Sequence, residues 1–213
     1  MTDLIFDLDG TLIDSHECIF SIYEKLFAEL KMPLPPIDVL YTFIGPSVET
    51  VIEKYLPEKE RAAACNRFRE LYQQVDLQKT NRLYDGVDKM LSDLYNDGYR
   101  LFIASTKNEQ KANLIPEILG VKNYFTGIYG SRDEIGRISK RQVLDDLCRD
   151  YGIEKKNALL IGDTHYDAEG AKEAGIPVAI VGYGFGDMQK LKAYDVAYYA
   201  KTTEDVVRYV RTK

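Results

Sequence analysis

The spacing of apolar positions changes twice along the chain. Leu4 to Leu8 is a short, nearly continuous apolar run closed by Gly10, the pattern of a strand buried in a parallel sheet. From Ser15 to about Asn81 the spacing is helical: Ile19, Ile22, Tyr23, Leu26, Phe27 and Leu30 fall on one helix face, and Phe68, Leu71, Tyr72 and Val75 on another. Pro33, Pro35, Pro36 and Pro57 divide this stretch into about four helices. After Gly86, helix and strand alternate. Val87, Met90, Leu91, Leu94 and Tyr95 predict a helix ended by Gly98, and Leu101 to Ala104 and Ile128 to Gly130 predict strands. Val143, Leu144, Leu147, Cys148 and Tyr151 predict a helix, Ala158 to Ile161 a strand, Asp167 to Ala174 a helix, Val178 to Val181 a strand, and Lys201 to Lys213 a last helix. Alternation of this kind implies an α/β fold with a doubly wound, Rossmann-like parallel sheet and right-handed connections. Residues 1–14 and 82–213 are expected to form that core, with residues 15–81 a small helical domain inserted after the first strand.

Polar chemistry gathers where the strands run out. The first run ends in Asp7-Leu8-Asp9-Gly10-Thr11, and in open α/β sheets ligands bind beyond the carboxyl ends of the strands. Two carboxylates so close repel unless a proton or cation relieves them, and Mg²⁺ is a hard cation suited to that task. Gly10 lets backbone N–H groups approach an anion, and Thr11 is placed to cap a following helix. A cap beside a solvated acid is the plainer reading of the pair. A calcium loop is not, because the further acids of that pattern are missing. Leu101 to Ala104 ends in Ser105-Thr106-Lys107, which reads as a phosphate cradle opening a helix or as ordinary helix caps. Lys140 stands just before a helix, where a cation is mildly unfavourable unless an anion sits nearby, although most such lysines are merely solvated. Asp163 ends another strand and Asp167 follows four residues later, on the same face if the turn is helical, which suits one direct and one supporting metal ligand. His165 between them would point elsewhere. In order, these clusters supply a nucleophile, an anion cradle, a cationic stabiliser and a metal site.

Composition narrows the partners. Twenty-eight Lys and Arg against 34 Asp and Glu leave a formal charge of −6, which argues against general nucleic-acid or anionic-membrane binding. No apolar stretch approaches membrane-spanning length, and the acidic, strand-forming start is unlike a signal peptide, so a cytoplasmic protein is expected. Cys18, Cys65 and Cys148 are odd in number and lie in apolar-periodic segments, as buried reduced thiols do. A small phosphorylated metabolite is the expected partner, and a monomer or homodimer the expected state.

The four clusters together resemble the motifs of the haloacid dehalogenase superfamily, matched in order over the whole chain. Asp7-Leu8-Asp9-Gly10-Thr11 looks like the first motif, Ser105 the second, Lys140 the third, and Gly162-Asp163 with Asp167 the fourth. The helical insert looks like the family's cap. Ile44-Gly45-Pro46, Gly130-Ser131 and the run from Gly162 to Gly175 are similar to phosphoglycolate phosphatases and their relatives. The resemblance implies a Mg²⁺-dependent phosphatase with Asp7 as nucleophile, forming an aspartyl-phosphate, and Asp9 as general acid and then base. It further implies a metal held by the Asp7 carboxylate, the Asp9 backbone carbonyl and Asp163, with Asp167 in support. Ser105 and Lys140 would bind the transferring phosphoryl group, with Gly10, Thr11, Thr106 and Lys107 lining it and Gly45 reaching in from the cap. Nucleotidase, pyrophosphatase and sugar phosphomutase activities share these motifs. A phospho-receiver module shares the acids, hydroxyl and lysine but has no place for the insert. Tyr41, Phe43 and Tyr55 read either as a stacking surface for a base or as core.

Overall fold

The computed structural model describes residues 2–213. Strand β1 (Asp3–Phe6) leads into a short antiparallel ribbon, β2 (Ile13–Asp14) paired with β3 (Arg82–Leu83). Between the two ribbon strands run α1 (His16–Glu29), α2 (Ile37–Tyr41), α3 (Val48–Ile52), α4 (Glu58–Gln73) and α5 (Leu77–Thr80). After the ribbon come α6 (Val87–Asn96), β4 (Arg100–Asn108), α7 (Glu109–Ile118), β5 (Phe125–Ser131), α8 (Lys140–Tyr151) and β6 (Ala158–Gly162). The chain ends with α9 (His165–Ala174), β7 (Val178–Val181), α10 (Met188–Leu191), β8 (Tyr198–Ala200) and α11 (Thr203–Arg211).

Six strands form one parallel sheet in the order β5-β4-β1-β6-β7-β8. That is the doubly wound Rossmann order: successive strands step to one side of β1 and then to the other, leaving a crevice at the carboxyl end of β1. Strand residues alternate between the two layers. Leu4, Phe6, Leu101, Ile103, Leu159 and Ile161 face the layer that contains α6, α7 and α11. Ile5, Phe102, Ala104, Leu160 and Ile180 face α8, α9 and α10. Burial on both faces is why these strands read as continuous apolar runs.

The inserted helices pack around aromatic rings that are continuous with the apolar layer on one face of the sheet. Tyr23 packs edge-on against Phe43 at 4.8 Å and tilted against Phe68 at 4.9 Å, and Phe27 meets Tyr55 at 5.3 Å. Tyr55 is half-buried and packs against this core. Tyr41 instead lies against Phe185 of the sheet domain, ring centroids 6.0 Å apart. The crossing between insert and sheet is a pair of chains side by side, where Asp14 opposes Arg82 and accepts its guanidinium at 3.2 Å.

Several local expectations are corrected. The insert has five helices among the described residues, because Asp76 caps a short last turn, α5, that no proline marks. Tyr95 faces solvent although it shares the spacing of its helix. Thr11 caps nothing: α1 starts five residues beyond it, at His16, and its hydroxyl turns inward to Asp163. β4 continues through Ser105, Thr106 and Lys107, so that these residues are extended and Asn108 caps α7. Strand β8 and helix α10 are too short for periodicity to reveal. The three cysteines are buried and free, and no described helix is long and apolar enough to cross a membrane.

Candidate active site

Asp7 is the first residue past β1, its N–H donating to Ile161 O at 2.8 Å across the sheet. Asp163 follows Gly162 at the end of β6, and Asp167 sits in the first turn of α9. The three carboxylates converge, one oxygen of each within 4.8 Å of the others, and all three are buried. Lys140, the first residue of α8, reaches into the same place. Its Nζ lies 2.7 Å from Asp7 Oδ1 and 2.8 Å from Asp167 Oδ1, and it donates to Ala104 O at 2.8 Å. Ser139 and Gln142 make a capping box that fixes where α8 begins, and with it where Lys140 enters.

Each acid has a different environment. Asp167 accepts from Thr164 N at 3.0 Å and Thr164 Oγ1 at 2.8 Å. Burial works against its charge, but Lys140 and these donors prevail and hold its pKa below the usual range. Asp7 is pushed up to about 7 by burial, with Lys140 pulling the other way and Asp167 adding repulsion. Asp163 is raised well above the carboxylate range by burial and by Asp167 and Asp7, although Phe185 N donates to it at 2.7 Å. Burial also opposes the charge on Lys140, yet Asp167 and Asp7 outweigh it and raise its pKa. One ammonium thus serves three acids, which leaves negative charge for a cation to meet.

Asp9 stands apart from this cluster. Its Oδ1 pairs with Lys107 Nζ at 3.0 Å, and Lys107 donates to the Tyr72 hydroxyl at 2.6 Å from the insert. Lys107 thus lines the cavity beside Asp9 and ties it to the insert. Ser105 is buried and lines a cavity of about 580 Å³ together with Asp7 and Asp9. Thr106 Oγ1 donates to Gly45 O at 3.1 Å, tying the sheet to the insert's 44–47 loop instead of opening a cradle. Gly45 has φ +106° and lies against Thr164 and Tyr166. Gly10, at φ +82°, packs so closely on Asp163 that a side chain there would occupy the space of its carboxylate. His165 stands aside, its ring against Tyr166.

Sequence reasoning missed three contributors. Tyr183 to Gly186 follows β7 as a lid over Asp163: Phe185 N is its donor, and Tyr183 OH donates to Thr11 O at 3.1 Å. Glycines at 182, 184 and 186 were the available signal. Thr164 was legible as a helix cap, three residues before Asp167. Arg69 on the insert pairs with Glu49 at 2.5 Å and with Asp133 of the sheet domain at 3.1 Å, which no spacing in the sequence suggests.

The family model for haloacid dehalogenase-like hydrolases matches residues 4–181. The chain belongs to that family. It is 34% identical to a phosphoglycolate phosphatase of Aquifex aeolicus, over 87% of this chain and 86% of that protein. It is 32% identical to a 5′-nucleotidase of Pseudomonas aeruginosa, over 92% of this chain and 90% of that one. The structure of a haloacid dehalogenase-like hydrolase from Streptococcus pneumoniae superposes with a TM-score of 0.93 at 30% identity, covering 99% of this chain and 98% of the other. The chain is a phosphatase-type enzyme of this family.

Proposed function

We propose that the enzyme hydrolyses a small phosphomonoester in a Mg²⁺-dependent reaction through an aspartyl-phosphate on Asp7. The observation that carries this reading is the buried cluster of Asp7, Asp163 and Asp167 with Lys140 between two of them. Three oxygen-donor acids with one ammonium, in a site that forces two of the acids toward protonation, fit a hard divalent cation. Asp7, Asp163 and the Asp9 backbone carbonyl would hold it, with Asp167 in support. Bound there, it supplies neutralisation of the phosphoryl oxygens.

The remaining work falls to the chain. An Asp7 carboxylate oxygen attacks phosphorus while the leaving alcohol takes a proton from Asp9. Asp9 then accepts a proton from the water that cleaves the acyl phosphate. Lys107 keeps the Asp9 carboxylate turned toward the cavity. Lys140 holds Asp7 by one oxygen and faces the charge that develops on the phosphoryl group, and Ser105 offers its hydroxyl to the same group. Residues 15–81 act as a lid on the β2–β3 ribbon and exclude water while the acyl phosphate stands.

Phosphate release from acetyl phosphate and from a panel of monoesters tests the reading. Asp7→Asn and excess chelator are each expected to reduce release to background, with the fold of the variant unchanged by circular dichroism. Substantial turnover by Asp7→Asn, or undiminished activity in chelator, contradicts it.

A further inference from the structure

Lys107 stands between the insert and the acid assigned to proton transfer. Its Nζ donates to the Tyr72 hydroxyl at 2.6 Å, a short, charge-assisted hydrogen bond. The same Nζ lies 3.0 Å from Asp9 Oδ1 but off the line of a hydrogen bond, and that buried oxygen has no hydrogen-bond partner among the described residues. The lysine therefore gives a directed bond to the tyrosine and only its charge to the aspartate. The Lys107 side chain is 5% exposed, Asp9 and Tyr72 are buried, and all three line the cavity over Asp7.

The tyrosine is fixed from several sides. It sits in the last turn of α4, its ring edge-on to Phe68 at 6.1 Å, with the Lys107 and Lys111 ammonium groups 5.1 and 5.3 Å from its centroid. Lys107 belongs to β4, so the contact exists only with the insert seated on the sheet. A buried ammonium that loses an acceptor turns to the next oxygen within reach, because an unmet buried donor is costly. With the hydroxyl gone, that oxygen is Asp9 Oδ1. An aligned bond there would occupy a lone pair and hold the carboxylate on Lys107 rather than on the substrate.

Resting on the reading of Asp9 as general acid and base, we infer that Tyr72 is a positioning residue for proton transfer, its hydroxyl engaging Lys107 so that Asp9 is attracted but not capped. As an Asp7 oxygen bonds to phosphorus and the bond from phosphorus to the leaving oxygen breaks, the proton on Asp9 passes to that oxygen. Tyr72 acts on this step through the lysine.

The test is leaving-group dependence in Tyr72→Phe, which keeps the ring and removes only the hydroxyl. Acetyl phosphate releases a carboxylate and 4-nitrophenyl phosphate a stabilised phenolate, neither of which needs a proton, whereas an alkyl phosphate releases an alcohol that must be protonated as it departs. The alkyl esters are expected to lose about tenfold in kcat/KM, a fraction of the roughly 10²–10⁴-fold that a positioned proton donor contributes, while the two activated substrates stay within about twofold. In a Lys107→Met background the hydroxyl has no ammonium to hold, so adding Tyr72→Phe is expected to leave the ratio of alkyl to activated kcat/KM unmoved. Equal loss on every substrate turned over, no loss on any, or a further change of the ratio in the Lys107→Met background overturns the inference and leaves the phosphatase reading in place. So does a Tyr72→Phe chain too unstable to assay by thermal unfolding, which makes the residue structural. Parental kcat/KM for alkyl esters in Asp9→Asn overturns instead the assignment of Asp9, and failure of the parent enzyme on every substrate overturns the phosphatase reading itself.

Discussion

Lys140 is where sequence expectation and structure part most usefully. Read as a solvated lysine recruited by a phosphate, it would matter to turnover and little to folding. Buried between Asp7 and Asp167, it is also the counter-charge that allows those acids to be packed there. Lys140→Ala is accordingly expected to lower kcat by about 10²–10³-fold, the usual effect of removing one group that faces developing charge. It is also expected to destabilise the fold by about 3–5 kcal/mol, because it leaves buried carboxylates without their partner. Phosphate release and thermal unfolding of the variant check the two halves, and a variant of parental stability would contradict the burial argument. Asp7 and Asp163 were legible as acids at the ends of apolar strands, and Lys140, at the start of a helix, only in their company, because a lysine there is ordinarily solvated. The extended course of Ser105 to Lys107 was not, because Ser and Thr after a strand read equally well as helix caps. Arg69 was hidden too, since its partners lie 20 and 64 residues away.

Among the elements, the 44–47 loop joins the insert to the sheet most directly. Gly45 places its carbonyl on Thr106 and its Cα against Thr164, the residue that donates to Asp167. Any side chain there must adopt a positive φ, at a cost of about 1–2 kcal/mol, and its Cβ already comes into contact with Thr164 and Tyr166, so that the methyls of a branched residue crowd them. Gly45→Val is therefore expected to reorder substrate preference, measured as kcat/KM over the monoester panel, while Mg²⁺ dependence persists. A variant that loses stability and keeps the parental ranking would make the loop purely structural. The long helices and central strands were legible from periodicity and from the glycines that end them. The β2–β3 ribbon was not, since two-residue strands carry no pattern, although Asp14 and Arg82 fall where the helical spacing begins and ends.

At the scale of the whole molecule, the sheet order places its crevice at β1, and the insert roofs that crevice, so that one cavity joins acids below to aromatic rings above. An overall charge of −6 offers no general attraction for phosphate. Affinity must therefore come from local charge, which is why three acids, the proposed nucleophile Asp7 among them, with one ammonium suit a cation. All of this rests on covalent participation of Asp7. The most direct measurement is to mix enzyme, Mg²⁺ and a turning-over phosphomonoester, quench within the first turnovers, reduce with borohydride and locate the modified residue by peptide mass spectrometry. An acyl phosphate on Asp7 is reduced to homoserine, so the expected result is homoserine at that position alone, and none in Asp7→Asn. Unmodified Asp7 in an enzyme that is releasing phosphate, or a phosphoryl group found on Ser105 instead, would contradict the mechanism.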